Sequence, residues 1–200
     1  AMAKGFEDTT LYQDGSFIAL NTVGSRETPE ATSIERFHDW NARRLKSWPA
    51  TLNCTATHDT KRGEDVRARL AVLSEMPDEW CAAVERWLSF FHSHAATSKS
   101  GQRVDHATHL FLLQTIIGAW PEADDRGAFA ERLRQYTVKV AREAKLSSSW
   151  LEPDEQYEDA LCDLVTFAVE GQGAGYFRDC LGAVIASLRF HGLINSLART

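Results

Sequence analysis

The sequence predicts a mainly α fold: an irregular bundle of about seven helices with one or two short strand-like segments and no complete barrel. Three observations predict it. Apolar residues recur at helical spacing along most of the 200 residues. Prolines and glycines fall at the borders of those stretches. Only Phe17-Ile18-Ala19-Leu20 and Thr51-Leu52-Asn53-Cys54-Thr55-Ala56 lack helical period, and two isolated strands cannot make a stable sheet.

The elements follow in order. Thr32-Ser33-Ile34-Glu35 has the form of a capping box, with Thr32 accepting from a free N–H and Glu35 reaching back. The helix it opens runs to Trp48, where Pro49 stops it. Val66, Leu70 and Leu73 then fall at i, i+4 and i+7. Pro77 opens the next helix, with Asp78 and Glu79 favourable in its first turn and Trp80, Val84, Trp87, Leu88 and Phe91 on one face. Leu110, Leu113 and Ile117 line another helix, ended by Trp120-Pro121. Phe129, Leu133, Tyr136 and Val140 line one more. Pro153 opens a helix bearing Tyr157, Leu161, Leu164, Val165 and Ala168. Gly171-Gln172-Gly173-Ala174-Gly175 breaks the chain before the last stripe: Phe177, Leu181, Val184, Ile185 and Leu188.

The length suits a single helical domain over residues 1–200, with the strand-like segments in 1–60 and helices alone in 61–200. A net charge of -6 and the lack of a basic patch argue against nucleic acid as a partner. No apolar run approaches about eighteen residues, so no membrane span or membrane partner is expected. Four cysteines, Cys54, Cys81, Cys162 and Cys180, show no CxxC spacing. They predict reduced, mostly buried thiols and a cytoplasmic setting. The abrupt ends at Ala1 and Thr200 suggest cut edges of something larger.

Chemistry concentrates in Thr55-Ala56-Thr57-His58-Asp59-Thr60-Lys61-Arg62-Gly63-Glu64-Asp65. It reads as the end of an extended segment, a loop, then a helix start. A carboxylate there can stabilise positive charge in glycosyl transfer. His58, Lys61 and Arg62 can donate to sugar hydroxyls, or the two cations can hold Asp59 ionised. The plainer reading is a helix cap beside a solvated charged turn. Lys4, Glu7 and Asp8 join this chemistry only if their segment meets the loop in space; the plainer reading of residues 2–9 is an exposed helix start with an acidic first turn. Ser147-Ser148-Ser149-Trp150 suits either sugar stacking or a tryptophan filling a helix corner. His92, His94, His106 and His109 could hold zinc, yet no carboxylate or cysteine completes a known motif. We expect neither a metal site nor a cofactor.

Residues 57–75, Thr-His-Asp-Thr-Lys-Arg-Gly-Glu-Asp-Val-Arg-Ala-Arg-Leu-Ala-Val-Leu-Ser-Glu, closely resemble the maltooligosyltrehalose synthases. These belong to the α-amylase superfamily, glycoside hydrolase family 13. Met2-Ala3-Lys4-Gly5-Phe6-Glu7-Asp8-Thr9, Gln114-Thr115-Ile116-Ile117-Gly118-Ala119-Trp120-Pro121 and Arg142-Glu143-Ala144-Lys145 are similar to the same family, in the same order. The resemblance implies an isomerase of trehalose biosynthesis. Such an enzyme turns the reducing-end α-1,4 link of a maltooligosaccharide into an α,α-1,1 link on a (β/α)8 barrel with helical insertions. It implies that Asp59 is the transition-state carboxylate, and that Lys61 and Lys4 hold the reducing-end sugar.

The family's nucleophile and acid/base lie on segments this chain does not match. Retaining transfer needs two carboxyls about 5 Å apart, so the chain alone is expected to be inactive and to need the remainder of the enzyme as partner. It departs from the family at Gln13-Asp14, Thr22 and Ser147-Ser148-Ser149. The alternative is a non-catalytic helical module that binds oligosaccharide or docks on a partner.

Overall fold

In the computed structural model, eight α-helices follow one another, with no strand among the described residues. These are residues 2–23, 32–52, 54–94, 104–122 and 125–198; the side chains of residues 2–4 and 94 lie outside the description. The helices are α1 (Met2–Gln13), α2 (Ile34–Ser47), α3 (Glu64–Ala71), α4 (Pro77–His94), α5 (His106–Gly118), α6 (Arg126–Ala144), α7 (Glu155–Val169) and α8 (Ala174–Leu197).

Both strand-like segments resolve differently. Ile18–Leu20 closes into a 3-10 turn, because Leu20 and Asn21 donate back to Phe17 and Ile18. In the second segment, residues 51–52 and 54–56 are exposed loop, tied down where Arg67 donates to the Thr55 carbonyl. β-rich composition favours a strand only where a neighbouring strand exists to receive it.

The cap of α2 also shifts by one residue. Ser33, not Thr32, accepts from the Arg36 N–H at 3.2 Å. α1 carries no full apolar stripe. It is anchored near its end, where Leu11 and Tyr12 are buried and Gln13 donates to the Ala144 carbonyl at 2.8 Å.

From Phe111 onward α5 is buried on every side. Each residue to Gly118 is buried, so the one-faced stripe read from Leu110, Leu113 and Ile117 understates it. Its N-cap Asp105 accepts from the Thr108 N–H at 2.9 Å. Gln114, buried in α5, accepts from the Ile18 N–H at 3.0 Å and donates to the Gly15 carbonyl at 2.8 Å. This pins the turn after α1 onto the core. Gly15 is required there, since a Cβ would stand 2.5 Å from the Ala107 carbonyl oxygen.

α3 packs on α8 and α5, α4 on α8, α6 on α7 and α1. Trp87 sits at the junction, edge-on to Phe177 at 4.9 Å between ring centroids. By length and composition α8 could cross a bilayer. Its stripe Phe177, Leu181, Val184, Ile185 and Leu188 is instead buried in the bundle. α2 buries none of its residues. The thiols are less buried than expected: Cys180 is buried, while Cys54 and Cys81 are exposed.

Candidate functional site

The His-Asp loop is a turn stapled by two threonines. The Thr60 N–H donates to the Thr57 carbonyl at 3.1 Å. The Thr57 N–H donates to the Thr60 hydroxyl at 2.7 Å, and the Asp59 N–H donates to the Thr57 hydroxyl at 3.2 Å. Short hydroxyl side chains that bond the local backbone favour turns of this kind. The result lifts His58 and Asp59 onto the tip. The His58 side chain is 90% exposed and that of Asp59 30%, with His58 Nε2 3.4 Å from Asp59 Oδ2.

Lys61 and Arg62 leave the turn in the opposite sense. The Lys61 ammonium pairs with Asp8 of α1 and lies 5.5 Å from the centre of the Tyr12 ring. The condition set for the first segment is therefore met by Asp8, which joins α1 to the loop. Lys4 lies within α1, and its side chain is outside the described residues.

Arg62 is buried. Its Nη1 donates to the Ile18 carbonyl at 3.2 Å, and its guanidinium lies 4.9 Å from the centre of the Phe111 ring. Burial pushes its pKa down, against the pull of Tyr136 and Tyr12. Burial, with Tyr136 and Glu143 nearby, pushes the Tyr12 phenol up to about 12, while Arg62 pulls it down.

Gly63 then caps α3, whose first turn carries Glu64 and Asp65, the sign the helix N-terminus favours. The loop and this first turn flank an open depression of about 600 Å³ lined by Cys54, Thr55, Ala56, Glu64, Asp65 and Val66. His58 and Asp59 are not among the residues that line it, and Arg62 is buried behind the loop.

The remaining candidates separate from this place. Trp150 is 55% exposed and donates its indole N–H to Glu143 at 3.0 Å, with the Arg142 guanidinium 5.0 Å from the ring centre. It therefore lies half-exposed over Arg142, whose guanidinium pairs with Glu158, and fills no helix corner. His109 accepts from Trp87 and is buried. His92 and His106 stack at 5.2 Å, and the His94 side chain lies outside the described residues. Among the described residues no three His, Cys, Asp or Glu side chains gather as a metal site. Asp8, Tyr12 and Tyr136 were missing from the loop's predicted surroundings or conditional there. Their sequence distance gives no local signal; only the fold brings them in.

Comparison with known proteins follows the same geometry. No protein-family model matches the chain. The "Putative maltooligosyl trehalose synthase" of Mycobacterium tuberculosis is 34% identical over 197 residues, 98% of this chain and 24% of that protein. A crystal structure of a maltooligosyl trehalose synthase superposes with a TM-score of 0.84 at 33% identity, over 98% of this chain and 25% of that one. The maltooligosyltrehalose synthase of Arthrobacter ramosus superposes with a TM-score of 0.76 at 34% identity, again over 98% and 24%. The chain spans about a quarter of the length of the relatives it matches. In sequence and in fold alike, these 200 residues are the counterpart of one helical quarter of a maltooligosyl trehalose synthase.

Proposed function

We propose that the chain serves as the helical section of a maltooligosyl trehalose synthase and contributes one of its carboxylates, Asp59. The enzyme it would complete is an isomerase of the α-amylase superfamily. That enzyme moves the reducing-end α-1,4 link of a maltooligosaccharide to an α,α-1,1 link. The observation that carries the reading is the match in fold and sequence over 98% of the chain. The turn geometry adds support, because it sets a part-exposed carboxylate beside an exposed histidine.

In this reading Asp59 faces the oxocarbenium-like transition state and lowers its energy by charge proximity. His58, at 90% exposure, donates to a sugar hydroxyl from the same turn. Lys61 reaches the sugar only by sharing or leaving Asp8, so Asp8 sets when its ammonium is available. Lys4, on the same helix as Asp8, is a second sugar contact. Arg62 supports the loop from behind, since its guanidinium is turned to the core. No cofactor enters this scheme, and the cysteine pattern supports a cytoplasmic setting.

The test is Asp59→Asn in a full-length synthase carrying this section. Isomerisation should fall by about a hundred- to a thousandfold, the scale of losing a dedicated electrostatic contact. Retained turnover refutes the role. The engagement of Lys61 with Asp8 favours a second reading, in which the chain binds oligosaccharide or docks on the remaining enzyme without chemistry. Calorimetry with maltopentaose separates them: heat without product supports the second, and product from the pure chain rejects it.

A further inference from the structure

Behind the loop lies a second, smaller cavity of about 250 Å³. Arg62, Lys61, Arg132 and Tyr136 line it together with Thr115 and apolar residues, and no carboxylate is among the lining residues. Its chemistry is unbalanced. Arg62 is only 7% exposed. Its Nη1 has the Ile18 carbonyl, but its Nε and Nη2 atoms are buried with no hydrogen-bond partner, and so is the Tyr136 hydroxyl. The Lys61 charge is answered by Asp8. Nothing among the described residues answers those of Arg62 and Arg132 within the cavity.

Nε–H and Nη2–H form one edge of the guanidinium fork. That edge receives two oxygens of a single carboxylate or phosphate. A phenol O–H can donate to the same group. Buried donors left unmet are costly, and a buried unpaired guanidinium more so. A neutral hydroxyl would take one of these hydrogen bonds and leave the charge uncompensated. The cavity is smaller than usual drug-sized sites, which begin near about 300 Å³. A group the size of acetate or phosphate fits it. Arg132 is exposed and can draw an anion inward.

We propose that this cavity is a binding site for a small oxyanion, gripped by the Nε–Nη2 edge of Arg62 and the Tyr136 hydroxyl, with Arg132 at its rim. The cavity shares Lys61 with the sugar contacts proposed for the loop, but the grip of Arg62 and Tyr136 on an anion does not depend on that reading. Because Arg62 follows Lys61 directly, an anion there would stiffen the base of the His-Asp loop.

The experiment titrates the 200-residue chain with inorganic phosphate and, separately, with acetate, at ionic strength matched by sodium chloride. Saturable binding heat and a shift of the Arg62 Nε–H resonance are expected. Tyr136→Phe and Arg132→Ala should each weaken binding by about tenfold while leaving the far-UV spectrum unchanged. Arg132 is exposed, so that variant keeps its fold even if one at Arg62 does not. Tighter phosphate than acetate assigns the site to phosphate-bearing ligands; acetate alone assigns it to carboxylates. The proposal falls if sodium chloride reproduces the effect, if maltose shifts Arg62 equally, or if both variants bind as the parent does.

Discussion

The indole N–H of Trp87 donates to Nε2 of His109 across 3.1 Å, from α4 to α5, with both residues buried. The Phe91 ring stands edge-on to the imidazole at 4.5 Å. To accept, Nε2 must be unprotonated, so His109 is neutral with its proton on Nδ1. Burial lowers its pKa from 6.5 to about 4; His92 and His106 add to this and Asp105 opposes it.

A pH dependence follows from that bond. The folded pKa lies below the unfolded one, so between them the unfolded chain binds a proton that the native chain refuses. Stability should therefore fall as pH drops from 6.5 towards 4, by on the order of 3 kcal/mol. Urea midpoints across this range measure it. His109→Gln keeps an acceptor for Trp87 and should flatten the slope. Equal slopes in both proteins would overturn the assignment.

Gly192 is where α8 crosses α3. A Cβ there would lie 2.8 Å from the Arg69 Cα and 2.6 Å from its Cγ. Arg69 cannot swing aside easily, since it donates to the Trp120 carbonyl at 3.1 Å and to Glu122 at 3.2 Å. Gly192→Ala should destabilise by about 1–3 kcal/mol. Gly182, on the same helix, has nothing within 4 Å of its would-be Cβ. Gly182→Ala should stabilise by roughly 0.5–1 kcal/mol through backbone entropy. Guanidinium melts of the pair check the contrast; a shared sign would mean the helices do not cross there.

α2 and its C-cap Trp48 carry an apolar stripe that the bundle does not use. Ile34, Phe37, Trp40, Leu45 and Trp48 are all more than half exposed. Trp48→Ser should then change the stability of the chain by no more than about 0.5 kcal/mol. Leu161→Ala, at a residue 1% exposed, should cost about 2–5 kcal/mol. Thermal denaturation of both variants decides it: a large loss at Trp48 would show that α2 packs on the core.

Helices with a clean stripe were readable because burial on one side imposes a 3.6-residue period, as Trp80, Val84, Trp87 and Phe91 show on α4. α1 showed only as an exposed helix start without a stripe, because among its described residues Leu11 and Tyr12 near its end are the buried ones. Local composition suggested strands at residues 17–20 and 51–56, but pairing is a property of neighbours, and none is present among the described residues. At the site, the sequence marked the His58-Asp59 tip. It could not show that Lys61 reaches back to Asp8, or that Arg62 turns inward beside Tyr136. Those are facts of chain path: Lys61 and Asp8 are 53 positions apart.

Near the surface, Arg142 holds both oxygens of Glu158, at 2.8 and 2.7 Å, and the buried Ser148 hydroxyl donates to the same carboxylate. The Arg142 hydrogen bonds hold the Glu158 carboxyl below its ordinary range against the opposing effect of burial. A depressed folded pKa gives stability that is full above the ordinary carboxylate pKa and is lost as pH falls through the folded value. Glu158→Gln should therefore lower the melting temperature at neutral pH, and the two proteins should converge in strong acid. The acid limb begins at the ordinary carboxylate pKa of 4.5, inside the low end of the window set by His109, so the titration is run in the His109→Gln background to separate the two effects. Trp150 gives an independent optical reading, because its ring lies against Arg142. Loosening the pair should shift its fluorescence in the folded state. A variant with an unchanged acid limb and unchanged emission would mean the α6–α7 contact stands on apolar packing alone.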